Sequence, residues 1–107
     1  MLLYTKTFGQ VLDIRAYEDE AKTQPINLTE YKVYVASSLG GISMTHPVTV
    51  DPEDSTRGYM RIPEGLLESP GTLHLQLVLE AEGTRMMGDI VEIPVERHVK
   101  VEGEGQM

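Results

Sequence analysis

The chain contains no cysteine and no tryptophan. Without a thiolate there is no disulfide framework, no cysteine-ligated zinc, no iron–sulfur cluster and no cysteine nucleophile. Phenylalanine occurs once, so an aromatic platform for stacking sugars would have to be built from tyrosines. Long apolar runs are missing too, and nothing approaches the roughly 18 residues that a membrane-crossing helix needs. The N-terminus, Met1 to Lys6, has neither the basic region nor the apolar stretch of a signal peptide. Positive charge is scarce: nine lysines and arginines stand against seventeen aspartates and glutamates, a formal charge of −8. Such a surface repels phosphate backbones and anionic lipid, which argues against nucleic acid and membranes as partners.

What the sequence does have is period-two alternation along nearly its whole length. Leu12, Ile14 and Ala16 alternate with polar neighbours, as do Val33 and Val35, Val48 and Val50, and Met60 and Ile62. Leu73, Leu75, Leu77 and Leu79 form the cleanest stripe, and Val91, Ile93 and Val95 follow. With Leu2 to Lys6 these runs predict seven short strands. Gln24-Pro25, Gly40-Gly41, Asp51-Pro52, Pro63-Glu64-Gly65, Pro70-Gly71 and Glu82-Gly83 fall between the runs as turns. Pro63 to Glu68 offers one short helical turn through Leu66 and Leu67. Strands with one apolar face each are buried together when two sheets face one another, so the expected fold is an all-β sandwich of about seven antiparallel strands. The four-leucine stripe should meet Leu12, Ile14, Val33, Val35, Val91, Ile93 and Val95 in its core. A chain of 107 residues suits one domain, placed at 1–99, with an acidic, flexible tail at 100–107. Pro94 cannot donate to a ladder, so the last strand is at an edge there or bulged, and Gly88-Asp89 is where a bulge fits.

Sites for chemistry are sparse. His46, His74 and His98 lie far apart in sequence, match no zinc-ligand spacing and read as surface residues. Asp51, Glu53 and Asp54 cluster as oxygen ligands for calcium do, without the EF-hand spacing or its glycine, and default to a turn. No serine sits in a nucleophile elbow, and the glycines form neither a phosphate loop nor a dinucleotide fingerprint. The expectation is a protein that is not an enzyme and carries no cofactor. Met86 and Met87 are adjacent beside a turn, and successive strand residues face opposite ways, so at least one of them should be exposed unless Gly88 bulges the strand. With Arg85 they make a possible protein interface, since methionine and arginine are common in binding surfaces.

Gln24-Pro25-Ile26-Asn27-Leu28-Thr29-Glu30-Tyr31-Lys32-Val33-Tyr34-Val35 resembles a segment of the N-terminal, immunoglobulin-like domain of phage baseplate upper proteins and related phage tail modules. Glu30 takes the place of that family's glycine. Gly58-Tyr59-Met60-Arg61-Ile62, Ser69-Pro70-Gly71 before the long leucine strand, Glu82-Gly83, and Ile93-Pro94-Val95 follow in the family's order. The resemblance spans about residues 10 to 97. It implies an immunoglobulin-like sandwich acting as a non-enzymatic structural part of a virion tail, with copies of itself or other tail proteins as partners and a homo-oligomeric assembly. A sandwich that binds a ligand or host glycan on a virion or cell surface is the other class that fits this composition.

Overall fold

The computed structural model describes residues 1–19 and 21–99. The acidic tail expected at 100–107 lies outside the described residues. The protein is all-β and built from two sheets. Its strands are β1 (Leu3–Tyr4), β2 (Val11–Ile14), β3 (Lys32–Leu39), β4 (Ile42–Pro47), β5 (Thr49–Asp51), β6 (Asp54–Arg61), β7 (Gly71–Ala81) and β8 (Thr84–Glu96). One sheet has the order β1-β8-β7-β3-β4 and the other β2-β6-β5. The expected strand count was one short because β4 carries no clear apolar alternation. It forms by pairing with β3 across Gly40-Gly41, where both glycines take positive φ, 59° and 82°, as a two-residue hairpin turn requires. Nor are all the strands antiparallel, since β1 runs parallel to β8 with Leu3 opposite Val95.

One core lies between the sheets. Val35, Leu39, Leu73, Leu75, Ile93 and Val95 meet Met60 of β6 and Ile62 just after it, and Leu3, Leu66 and Leu67 close it off. Leu66 and Leu67 are buried as expected, but on a turn closed by the Leu66 amide donating to the Pro63 carbonyl, not on a helix. The one helical turn among the described residues is a 3-10 turn at Leu28–Glu30, in the segment that carries the resemblance. Asn27 caps it: its side-chain oxygen accepts from the Thr29 amide at 3.1 Å and from the Thr29 hydroxyl at 2.7 Å. The cap leaves Leu28 fully buried, in van der Waals reach of Gly58.

The long hairpin of β7 and β8 departs from a regular ladder at one place. Glu82-Gly83 joins the strands with Ala81 opposite Thr84, and pairing runs regularly to Val78 opposite Met87. The register then shifts, and Gln76 lies opposite Ile90. Gly88 and Asp89 together therefore oppose Leu77, a β-bulge at the position the sequence suggested. The Gln76 side-chain amide donates to the Gly88 carbonyl at 2.8 Å and ties down the irregular backbone. Beyond the bulge, Ile93 faces the core with Leu73, and Val95 with Leu3.

Val91 corrects the expected core. It keeps the inward side of β8, opposite Leu75, yet it is 54% exposed. The three-stranded sheet ends at β2, which stops at Ile14, so no described strand covers the sheet beneath Val91. Leu12, Ile14 and Leu77 are half-buried for the same reason. The whole stretch from Ala81 to Glu92 is exposed, and the molecule is elongated, 47 × 28 × 26 Å.

Candidate functional site

The two sheets do not close along one side. An open groove of about 1340 Å³ runs between β2 and β8, floored by Leu75, Leu77 and Leu79 and flanked by Leu12, Ile14, Met86 and Val91. Its outer wall is the free edge of β8. Beyond β7, β8 has one neighbour, β1, which pairs only with Val95 and Glu96. From Thr84 to Pro94 its outer side is unpaired by any described strand.

The direction of the backbone groups along this edge follows from one hydrogen bond. The Thr5 amide donates to the Glu96 carbonyl at 2.9 Å, so Glu96 directs its peptide groups away from β7. Peptide groups alternate along an extended strand, so Pro94, Glu92 and Ile90 also direct theirs outward. The missing N–H of Pro94 therefore falls on the open edge and takes nothing from the β7 ladder. Across the bulge the alternation changes phase, and the outward groups become those of Met87 and Arg85.

Side chains along the edge are apolar on both faces. Met86, Met87, Ile90 and Val91 are 37, 54, 58 and 54% exposed. Met86 lies opposite Leu79 on the groove side, while Met87 lies opposite the buried Val78 on the outer side. Both methionines are thus exposed, one on each face. Arg85 pairs across the hairpin with Glu80 at 3.0 Å, and Glu80 also accepts from the Tyr34 hydroxyl, which holds the Glu80 carboxyl below its ordinary pKa. Protein edges of this kind are usually blunted by charge, proline or a covering loop. Ile90 and Val91 complete the apolar run; Val91 reads in the sequence as a core residue, and it is exposed because β2 stops short of it.

The histidines do not converge. His74, on β7, faces Glu92 at 3.5 Å, and His98 follows β8 against the Thr5 hydroxyl. His46 is not a surface residue: it is 5% exposed on β4, facing the core, with its Nε2 at 2.7 Å from the Ser37 hydroxyl. That distance suits a nucleophile and its base, but both groups are buried and no carboxylate pairs with the imidazole among the described residues. The pair closes a polar gap between β3 and β4. Burial lowers the pKa of His46, because desolvation disfavours the imidazolium. The unfolded chain then binds a proton near pH 6.5 that the folded chain refuses, so stability falls as pH drops below about 6.5 towards the lowered folded value. His46→Gln, which keeps a hydrogen bond to Ser37, is expected to flatten this slope in urea melts taken between pH 7 and 5. An unchanged slope would assign it to other groups.

Asp51 and Asp54 use their carboxylates on the β5–β6 hairpin. Asp51 accepts from the Glu53 amide at 2.8 Å and the Tyr59 hydroxyl at 2.9 Å, and Asp54 from the Thr56 amide at 3.0 Å and hydroxyl at 2.6 Å. These bonds lower both pKa values and make turn geometry their visible role. Among the described residues no three histidine, aspartate or glutamate side chains gather to hold a metal. No described helix is long and apolar enough to cross a membrane.

No protein-family model matches this chain, and no curated protein is significantly similar to it.

Proposed function

We propose that this chain is a non-enzymatic structural module of a phage or prophage tail, an immunoglobulin-like sandwich that docks through its β7–β8 arm. The observation that carries the docking role is the unpaired β8 edge with apolar side chains on both faces. Exposed apolar groups on a main-chain edge are what strand addition uses, with backbone hydrogen bonds for affinity and side-chain contacts for specificity. The tail assignment is supported by where the resembling segments fall. Asn27 to Glu30 form a capped turn leading into β3, and Gly58 to Arg61 lie on β6 with Ile62 directly after it. Pro70-Gly71 opens β7, Glu82-Gly83 turns the arm, and Ile93 to Val95 close the core from β8.

The test is composition of particles. Tails purified from the host that encodes this chain are expected to contain it at a fixed copy number by quantitative mass spectrometry, with tail genes beside its own. Met86→Glu with Met87→Glu is expected to remove it from particles while leaving the thermal melt of the isolated domain near that of the parent. Each single substitution is melted as a control, because Met86 also borders the groove. Absence of the parent chain from particles would end this reading.

A further inference from the structure

We propose that two copies of the chain pair through β8, edge to edge and antiparallel, about a two-fold axis at the Gly88–Asp89 bulge, joining two five-stranded sheets into one of ten. This rests on the reading of β8 as an interface and names its occupant as a second copy. In such a pairing Arg85 of one copy lies opposite Glu92 of the other, Met86 opposite Val91, Met87 opposite Ile90, and Gly88 opposite Asp89. Every charged residue of the edge thus meets an opposite charge or a glycine, and every exposed apolar residue meets another. The unlike pair is at the ends, where each copy supplies both members, so the arrangement is self-complementary as a two-fold interface must be.

The backbone agrees. Arg85, Met87, Ile90 and Glu92 are the residues whose peptide groups point outward, and they fall opposite one another as 85 with 92 and 87 with 90. These are the hydrogen-bonded pairs of an antiparallel ladder, with Met86 and Val91 as the non-bonded pair between them. The bulge is what permits this symmetry. Met86 and Val91 would lie on opposite faces of a regular strand, whereas here both face the groove. A two-fold axis normal to the sheet keeps faces, so a regular strand cannot pair with itself about a point between two residues. A strand bulged at that point can. Sliding the second copy by one residue mismatches the faces, and sliding it by two sets each bulge against regular strand and parts Arg85 from Glu92, so this register alone keeps both the faces and the unlike pair. The pairing ends where it must, because β1 occupies the edge from Val95 onward and Pro94 has no donor to lose.

Light scattering on the purified full chain at micromolar concentration is expected to give twice the mass of one copy. Arg85→Glu alone and Glu92→Arg alone each set like charges opposite one another at both ends, and should weaken the dimer by about tenfold or more. An equimolar mixture of the two variants restores both unlike pairs, as does the double variant Arg85→Glu with Glu92→Arg, and both should recover the dimer. Met87→Glu, which faces Ile90 of the second copy, should also give monomers, folded and with a melt that no longer shifts with protein concentration as that of the parent does. A parent chain that stays monomeric, or a dimer indifferent to positions 85 and 92, overturns the proposal. A monomer that still needs Met86 and Met87 to enter particles would overturn it and leave the docking reading standing.

Discussion

Leu73→Ala is expected to lower the unfolding free energy by about 2–5 kcal/mol, whereas Val91→Ala should change it by no more than about 0.5 kcal/mol. Both residues face the same side of the same sheet, and the sequence offers no reason to rank them. Leu73 has no solvent exposure and sits in one cluster with Met60 of the facing sheet and Ile62 beyond its end, so truncation leaves a cavity that packed neighbours cannot fill. Val91 hangs over the groove, where water takes the place of the missing methyl groups at little cost. Urea midpoints for the two variants, measured side by side in the Arg85→Glu background so that pairing of copies does not enter, check the contrast. Equal losses would mean that the groove is filled in solution.

Gly58→Ala is expected to cost about 1–3 kcal/mol by overpacking. Gly58 lies in the middle of β6 with its backbone buried, and a Cβ there would come within 2.7 Å of Val48 Cγ1 and 3.3 Å of Leu28 Cδ1. The valine is β-branched and cannot swing a distant tip aside, while Leu28 is pinned by the turn that Asn27 caps. Val48→Ala makes room, so the double variant should recover stability relative to Gly58→Ala alone. A double-mutant cycle in denaturant measures that coupling. Additive losses would show that the glycine serves its strand by some means other than this close approach.

The strand faces were legible wherever alternation was unbroken. The leucines of β7, Val35, Met60, Ile62, Ile93 and Val95 all fall on the core side as period two predicts. Gly58 was legible as a strand residue but not as a contact, since its neighbours come from β6's hairpin partner segment and a distant turn. β4 was not legible, because Ile42-Ser43-Met44-Thr45 reads as weak alternation and its one buried member is a histidine. His46 was misplaced for the same reason. An imidazole tolerates either environment, and the Ser37 hydroxyl that satisfies it is joined to it only by hairpin pairing. At the candidate interface, Arg85, Met86 and Met87 could be picked out as adjacent residues that cannot share one face. Ile90 and Val91 could not: Val91 reads as an inward residue and does lie on that side, and its exposure comes from the facing strand β2 stopping at Ile14, which alternation within β8 does not reveal.

The extra residue at the bulge also makes the arm tolerant of a change in length. Gly88 and Asp89 stand together against Leu77, so a chain lacking one of them would follow Met87 with a single residue and continue one for one into Ile90 opposite Gln76. No side chain on either flank would change face, and Ile93 and Val95 would stay in the core. Most strands pay for a one-residue deletion by turning their apolar side to water. Here a codon can be lost from an exposed strand with the hydrophobic pattern intact. Relatives whose arms differ by one residue at this position should therefore share the same buried set.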